Sequence, residues 1–139
     1  MTLLTAYVAT AVAFLVIDMI GLRLLVLPIF NSEAGQLFRD DPRILPAAVF
    51  YLGFIAGVIW FVSAPALASG AGLGHVFLNA AFFGAVAYGT YEFTNLATLK
   101  GWTLRMALTD FVWGAALTAV SATVGVWIAR LIAGGPPAA

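Results

Sequence analysis

Three acidic side chains stand in this sequence where acids are expensive. Asp18, Glu92 and Asp110 each interrupt a long apolar run, and an ionisable group inside a membrane span costs on the order of 2.5–3.5 kcal/mol on insertion scales. Such groups face a protein interior or a wet cavity, where a carboxyl can accept hydrogen bonds, hold a polar headgroup or carry a proton. Asn95, which both donates and accepts, completes the candidate cluster. Tyr88, Tyr91, Lys100, Trp102, Arg105 and Trp113 surround it in sequence, and Arg23 follows Asp18 by five residues. Five residues is roughly 140° around a helix, so Arg23 and Arg105 lie off the faces of Asp18 and Asp110. They are expected to snorkel towards headgroups or to pair across helices. The sequence holds no Cys and one His, which excludes disulfides, thiolate metal sites and a Cys nucleophile. No metal or other cofactor is expected.

These acids need elements to hold them, and the composition dictates which kind. The 139 residues are 63% hydrophobic and 9% charged, with zero formal net charge. A soluble domain carries about 25% charged residues, so this chain lacks the polar surface that water requires. Zero net charge also leaves no basic field for nucleic-acid phosphates. Four runs reach the ~20 apolar residues that a membrane helix needs: about 3–28, 45–67, 73–94 and 103–132. The expected fold is an all-α integral membrane protein, a compact bundle of four transmembrane helices forming one domain over residues 1–133. A Gly- and Pro-rich tail, 134–139, is expected to be flexible.

Pro28 is expected to end the first helix, leaving Asn31 to Arg43 as a polar loop with Ser32 as an N-cap. Small residues predict close helix packing. Gly53 and Gly57 form a small-xxx-small pair in the second helix, and Gly89 shares a face with Tyr88 and Glu92 in the third. In the fourth, Asp110, Gly114, Thr118, Ser121 and Gly125 recur at four- and three-residue steps as one stripe. Basic residues near helix ends set orientation. Arg23, Arg39, Arg43, Lys100 and Arg105 share one side, and Arg130 stands alone on the other. The first and third loops are therefore expected in the cytoplasm and both termini outside it. That places all three acids in the cytoplasmic half of the membrane.

The run from Glu92 to Trp102, Glu-Phe-Thr-Asn-Leu-Ala-Thr-Leu-Lys-Gly-Trp, followed by Asp110 and by Trp113-Gly114, resembles the bacterial four-helix membrane proteins grouped as domain of unknown function 2177. The resemblance extends over nearly the whole chain and includes Asp18. In that family the acid before the Thr-Asn pair is usually Asp, whereas here it is Glu92, one methylene longer. The resemblance implies the architecture above, the bacterial inner membrane and a link to membrane-lipid physiology, with no assigned activity.

The function expected first is a binding or accessory protein whose acid cluster holds a lipid, a small amphiphile or a partner helix, with membrane lipid and a second copy or another membrane protein as partners. The alternative is a proton-coupled small-solute transporter working as a dimer, since four helices are few for a complete pathway. Third comes a lipid-modifying enzyme, with Asp18, Glu92 or Asp110 as general acid or base and Arg23, Arg105 or Lys100 clamping a phosphate. No nucleophile motif, His–carboxylate pair or nucleotide loop accompanies these acids, which counts against an enzyme.

Overall fold

The computed structural model describes residues 1–134, and four helices account for most of them: α1 (Thr2–Leu37), α2 (Ile44–Ser69), α3 (Leu73–Thr98) and α4 (Leu104–Ile132). The shortest have 26 residues, about 39 Å at ~1.5 Å per residue, more than the ~30 Å hydrocarbon layer requires. Each is also apolar enough to cross a membrane. The chain is an all-α, multi-pass integral membrane protein. Of the expected tail, residues 135–139 lie outside the described residues.

Proline does not end α1. The backbone widens into a π-helical stretch over Leu22–Val26, and the N–H of Leu27 reaches five residues back to the Leu22 carbonyl. Pro28 then sits in the first turn of a regular segment, Leu27–Ala34. A proline ring clashes with the carbonyl four residues earlier and donates no N–H; a widened turn immediately before it relieves both problems. α2 repeats the device. Its π-helical stretch Ile59–Ser63 precedes Pro65, and the Ala64 N–H reaches back to Ile59.

As a result α1 runs nine residues beyond Pro28, and much of the expected loop is helical. Ser32 caps nothing; its hydroxyl donates to the Ile29 carbonyl at 2.8 Å within the helix. α3 likewise continues to Thr98, so Asn95 is a helical residue and not part of a connection. α4 begins at a true cap, the Thr103 hydroxyl accepting from the Met106 N–H at 3.2 Å.

The core is organised around α4, which packs against both α1 and α3. Its small-residue stripe is what permits this. A methyl group on Gly84 of α3 would lie 2.6 Å from the Thr118 hydroxyl and 2.8 Å from the Gly114 carbonyl oxygen, Gly114 lies directly under the Tyr88 ring, and Gly125 lies against Thr10 of α1. Ser121 is fully buried on the same line. On α3 the buried residues are Val76, Ala80, Gly84 and Glu92, spaced by four or eight residues, which keeps one face on α4. Gly89 takes the Phe111 ring alongside.

α2 joins differently. Phe54, Ile55, Val58, Ile59, Val62, Ser63 and Ala66 are its buried residues, and they turn Gly53 outward, where a methyl group would meet nothing within 4 Å. Gly57 meets only the Phe83 side chain. The expected Gly53/Gly57 packing seam is therefore absent, because α2 rests on aromatic and branched side chains and not on a close backbone approach. Arg130 of α4 anchors the far end of α2, its guanidinium donating to the carbonyls of Ala66 and Ala71 at 3.2 and 2.7 Å. Gly70 between them adopts the left-handed conformation, φ +68°, that closes a helix.

Candidate functional site

At the opposite end from Arg130 the helices bring the acids together. Glu92 is fully buried and Asp18 nearly so, while Asp110 is partly buried. Each of the first two receives an indole N–H. Trp102 donates to Glu92 Oε2 at 2.8 Å, and Trp113 donates to Asp18 Oδ1 at 3.2 Å. Both tryptophans are held by packing. Trp113 lies directly over Gly21 of α1, where no Cβ would fit. Trp102 sits edge-on between Phe30, 5.5 Å between ring centres, and Tyr91, 5.8 Å.

The remaining Glu92 oxygen, Oε1, is buried without a hydrogen-bond donor. The Asp110 carboxyl is a neighbour of Glu92. A carboxylate offers acceptors alone, so the pair has one indole donor and an excess of acceptor oxygens. Tyr51 of α2 stands beside Asp18, and Tyr88 of α3 lies against Gly114. One acid from α1, one from α3 and one from α4 thus meet around two indoles and two tyrosines. Among the described residues no three of His, Cys, Asp and Glu are placed to hold a metal ion.

Other expected participants lie apart. Asn95 makes no side-chain hydrogen bond to an acid; its neighbour is Tyr91, one turn back. Arg23 and Lys100 are exposed. Arg105 turns away from Asp110 and pairs with Glu33 of α1 at 3.3 Å, and Glu33 also accepts from the Thr103 hydroxyl. Glu33 and Phe30 were not singled out from sequence, because Pro28 hides that Val26, Phe30 and Ala34 recur at four-residue steps. These three residues pack on Trp102, Met106 and Ala107 as a second small core, closing the acid cluster on that side. Tyr51, a lone hydroxyl in an apolar run, was a signal that spacing alone did not connect to Asp18.

On another side the cluster opens. The first half of α2 and the second half of α3 diverge around a cavity of about 640 Å³. Phe50, Tyr51 and Phe54 line it from α2, Tyr88 and Tyr91 from α3, and Asp110 from α4. The flank of α2 beside it carries exposed Ile44, Leu45, Val49 and Phe50, so the cleft opens sideways onto the surface that a bilayer covers.

No curated protein and no solved structure matches the chain. The model of one family does, that of the predicted membrane protein, domain of unknown function 2177 (DUF2177), over residues 3–127. The match takes in α2 and α3 whole, α1 from its second residue and α4 as far as residue 127, and with them Glu92, Asp110 and Trp113, and the chain belongs to this family of membrane proteins of unassigned function.

Proposed function

We propose that this protein is a membrane binding or accessory protein that holds one lipid or small amphiphile in the cleft between α2 and α3. The observation that carries the reading is the cleft: its ~640 Å³ falls in the ~300–1,000 Å³ range of small-molecule sites, its walls are apolar, and one carboxyl, Asp110, stands among them. A molecule whose tail is as apolar as the bilayer enters such a cleft from the side without crossing water, and its head meets Asp110 with Glu92 and Asp18 behind it. The proposed setting is the bacterial inner membrane with both termini extracytoplasmic. Arg23, Arg39, Arg43, Lys100 and Arg105 cluster at the acid end, and the lone Arg130 at the other end is engaged with helix carbonyls, which supports that orientation under the positive-inside rule.

A second reading is favoured by one buried oxygen. Glu92 Oε1 has no donor, and a membrane-buried carboxyl left without a partner is the kind of group that a proton-coupled transporter uses. In that reading a second copy packs on the unoccupied Gly53 flank of α2, where the small side chain leaves room for another helix.

The test is native mass spectrometry of the protein released from nanodiscs, comparing wild type with Ala47→Trp. Ala47 is exposed on α2 and lines the cleft, so an indole there fills the space without disturbing the core. A defined small-molecule adduct on wild type and none on Ala47→Trp is the expected result. Bare chains in both, or an adduct that survives Ala47→Trp, would overturn the reading.

A further inference from the structure

We infer that the cleft selects an amphiphile with a cationic, N–H-bearing head, an alkylammonium, over one with an anionic or neutral head. The inference rests on the cleft being an amphiphile site, and its argument is charge and donor complementarity. Among the residues lining the cleft the single ionisable carboxyl is Asp110 and there is no Lys, Arg or His. Behind Asp110 stand two more carboxyls: Glu92, served by one indole N–H, and Asp18, served by another with the Tyr51 hydroxyl beside it. Glu92 Oε1 is fully buried and has no donor. The basic residues of this end are committed or outside: Arg105 is bound to Glu33, and Arg23, Arg39, Arg43 and Lys100 are exposed.

The site therefore lacks positive charge, and its donors are neutral hydroxyls of Tyr51, Tyr88 and Tyr91, the Thr90 hydroxyl being bound to the Val86 carbonyl. An ammonium head brings the missing charge together with further N–H donors. A phosphate or carboxylate head brings no positive charge and meets like charge, which disfavours its binding. The walls add a second attraction. Phe50, Tyr51, Phe54, Tyr88 and Tyr91 surround the approach to Asp110, and aromatic rings stabilise a cation within ~6 Å of their faces, more strongly where water is excluded. The tyrosine hydroxyls add donors but no positive charge.

The experiment uses the full chain in zwitterionic phosphatidylcholine nanodiscs, with tetradecylamine, tetradecanol and tetradecanoate as probes of equal chain length, read at neutral pH by native mass spectrometry across a concentration series. Tetradecylamine is expected to bind at least about tenfold more tightly than tetradecanol, with tetradecanoate weakest. Asp110→Asn is expected to weaken the amine by about tenfold or more and to leave the alcohol unchanged. The inference is overturned if tetradecanoate or tetradecanol matches the amine, or if Asp110→Asn binds the amine as wild type does. Because the headgroup ranking is read on wild type, it stands even where Asp110→Asn does not fold. Alcohol or acid binding that Ala47→Trp abolishes would leave the amphiphile site intact while refuting its charge preference; binding of none of the three would remove the site itself.

Discussion

Trp102 and Glu92 form the most sharply defined polar contact of the acid cluster, and their coupling can be measured. Trp102→Phe removes the N–H that reaches Glu92 Oε2 at 2.8 Å. Because Oε1 already lacks a donor, the variant leaves a fully buried carboxyl with no protein donor at all. Orphaning a buried polar group costs about 1–3 kcal/mol in water-soluble proteins, whereas polar pairs between membrane helices average about 0.6 and reach about 1.7 kcal/mol. Both partners here are buried and the distance is short, so the coupling belongs near the upper end, about 1–2 kcal/mol. Trp102→Phe also loses ring contact with Phe30 and Tyr91, and a double-mutant cycle with Glu92→Met removes that shared packing cost. Reversible unfolding by SDS titration in mixed micelles supplies the four stabilities, with helix content by circular dichroism as the folding check. Trp102→Phe should be clearly less damaging in the Glu92→Met background. The cycle of Trp113→Phe with Asp18→Leu, where the contact is 3.2 Å, should give a smaller coupling. A Trp102–Glu92 coupling within about 0.5 kcal/mol of zero, the scatter of independent sites, would refute the view that the indole is what satisfies the buried acid.

Two glycines of identical chemistry should respond oppositely to alanine in the same unfolding assay. Gly84→Ala forces a methyl group to within 2.8 Å of the Gly114 carbonyl oxygen and should cost about 1–3 kcal/mol as overpacking, whereas Gly53→Ala meets nothing within 4 Å and should be neutral or gain up to about 1 kcal/mol in helix propensity; equal effects would contradict the packing of α3 on α4. Arg130→Met keeps the apolar stem but releases the carbonyls of Ala66 and Ala71, and should cost about 1.5–3 kcal/mol while speeding amide exchange at the α2–α3 turn; unaltered exchange there would mean that the guanidinium does not hold the turn.

Much of the molecule was legible in its residues. A composition this apolar leaves no soluble solution, because every backbone polar group in the hydrocarbon must be paired within the chain, and helices are the way a segment does this alone. Run length then set the number of spans, and the cost of an intramembrane carboxyl singled out Asp18, Glu92 and Asp110. The repeat of Gly114, Thr118 and Ser121 marked the buried line of α4, since a helix with small residues on one face is approached closely there. These are properties of single helices, and single helices are written locally.

What only the tertiary structure decided is everything that depends on which helix meets which. Periodicity fixes a face but not its partner, so Gly53 and Gly114 look alike in sequence, although one faces outward and the other carries the Tyr88 ring. Proline rules describe a regular helix. They missed that five widened residues before Pro28 let α1 continue and bring Phe30 and Glu33 onto α4. Arg105, off the face of Asp110, finds Glu33 because of that added length. The cleft is the furthest from local information. It exists because α2 is pinned at one end by Arg130 and rests on side chains too large for close approach at the other, leaving Asp110 facing a space that no single helix encodes.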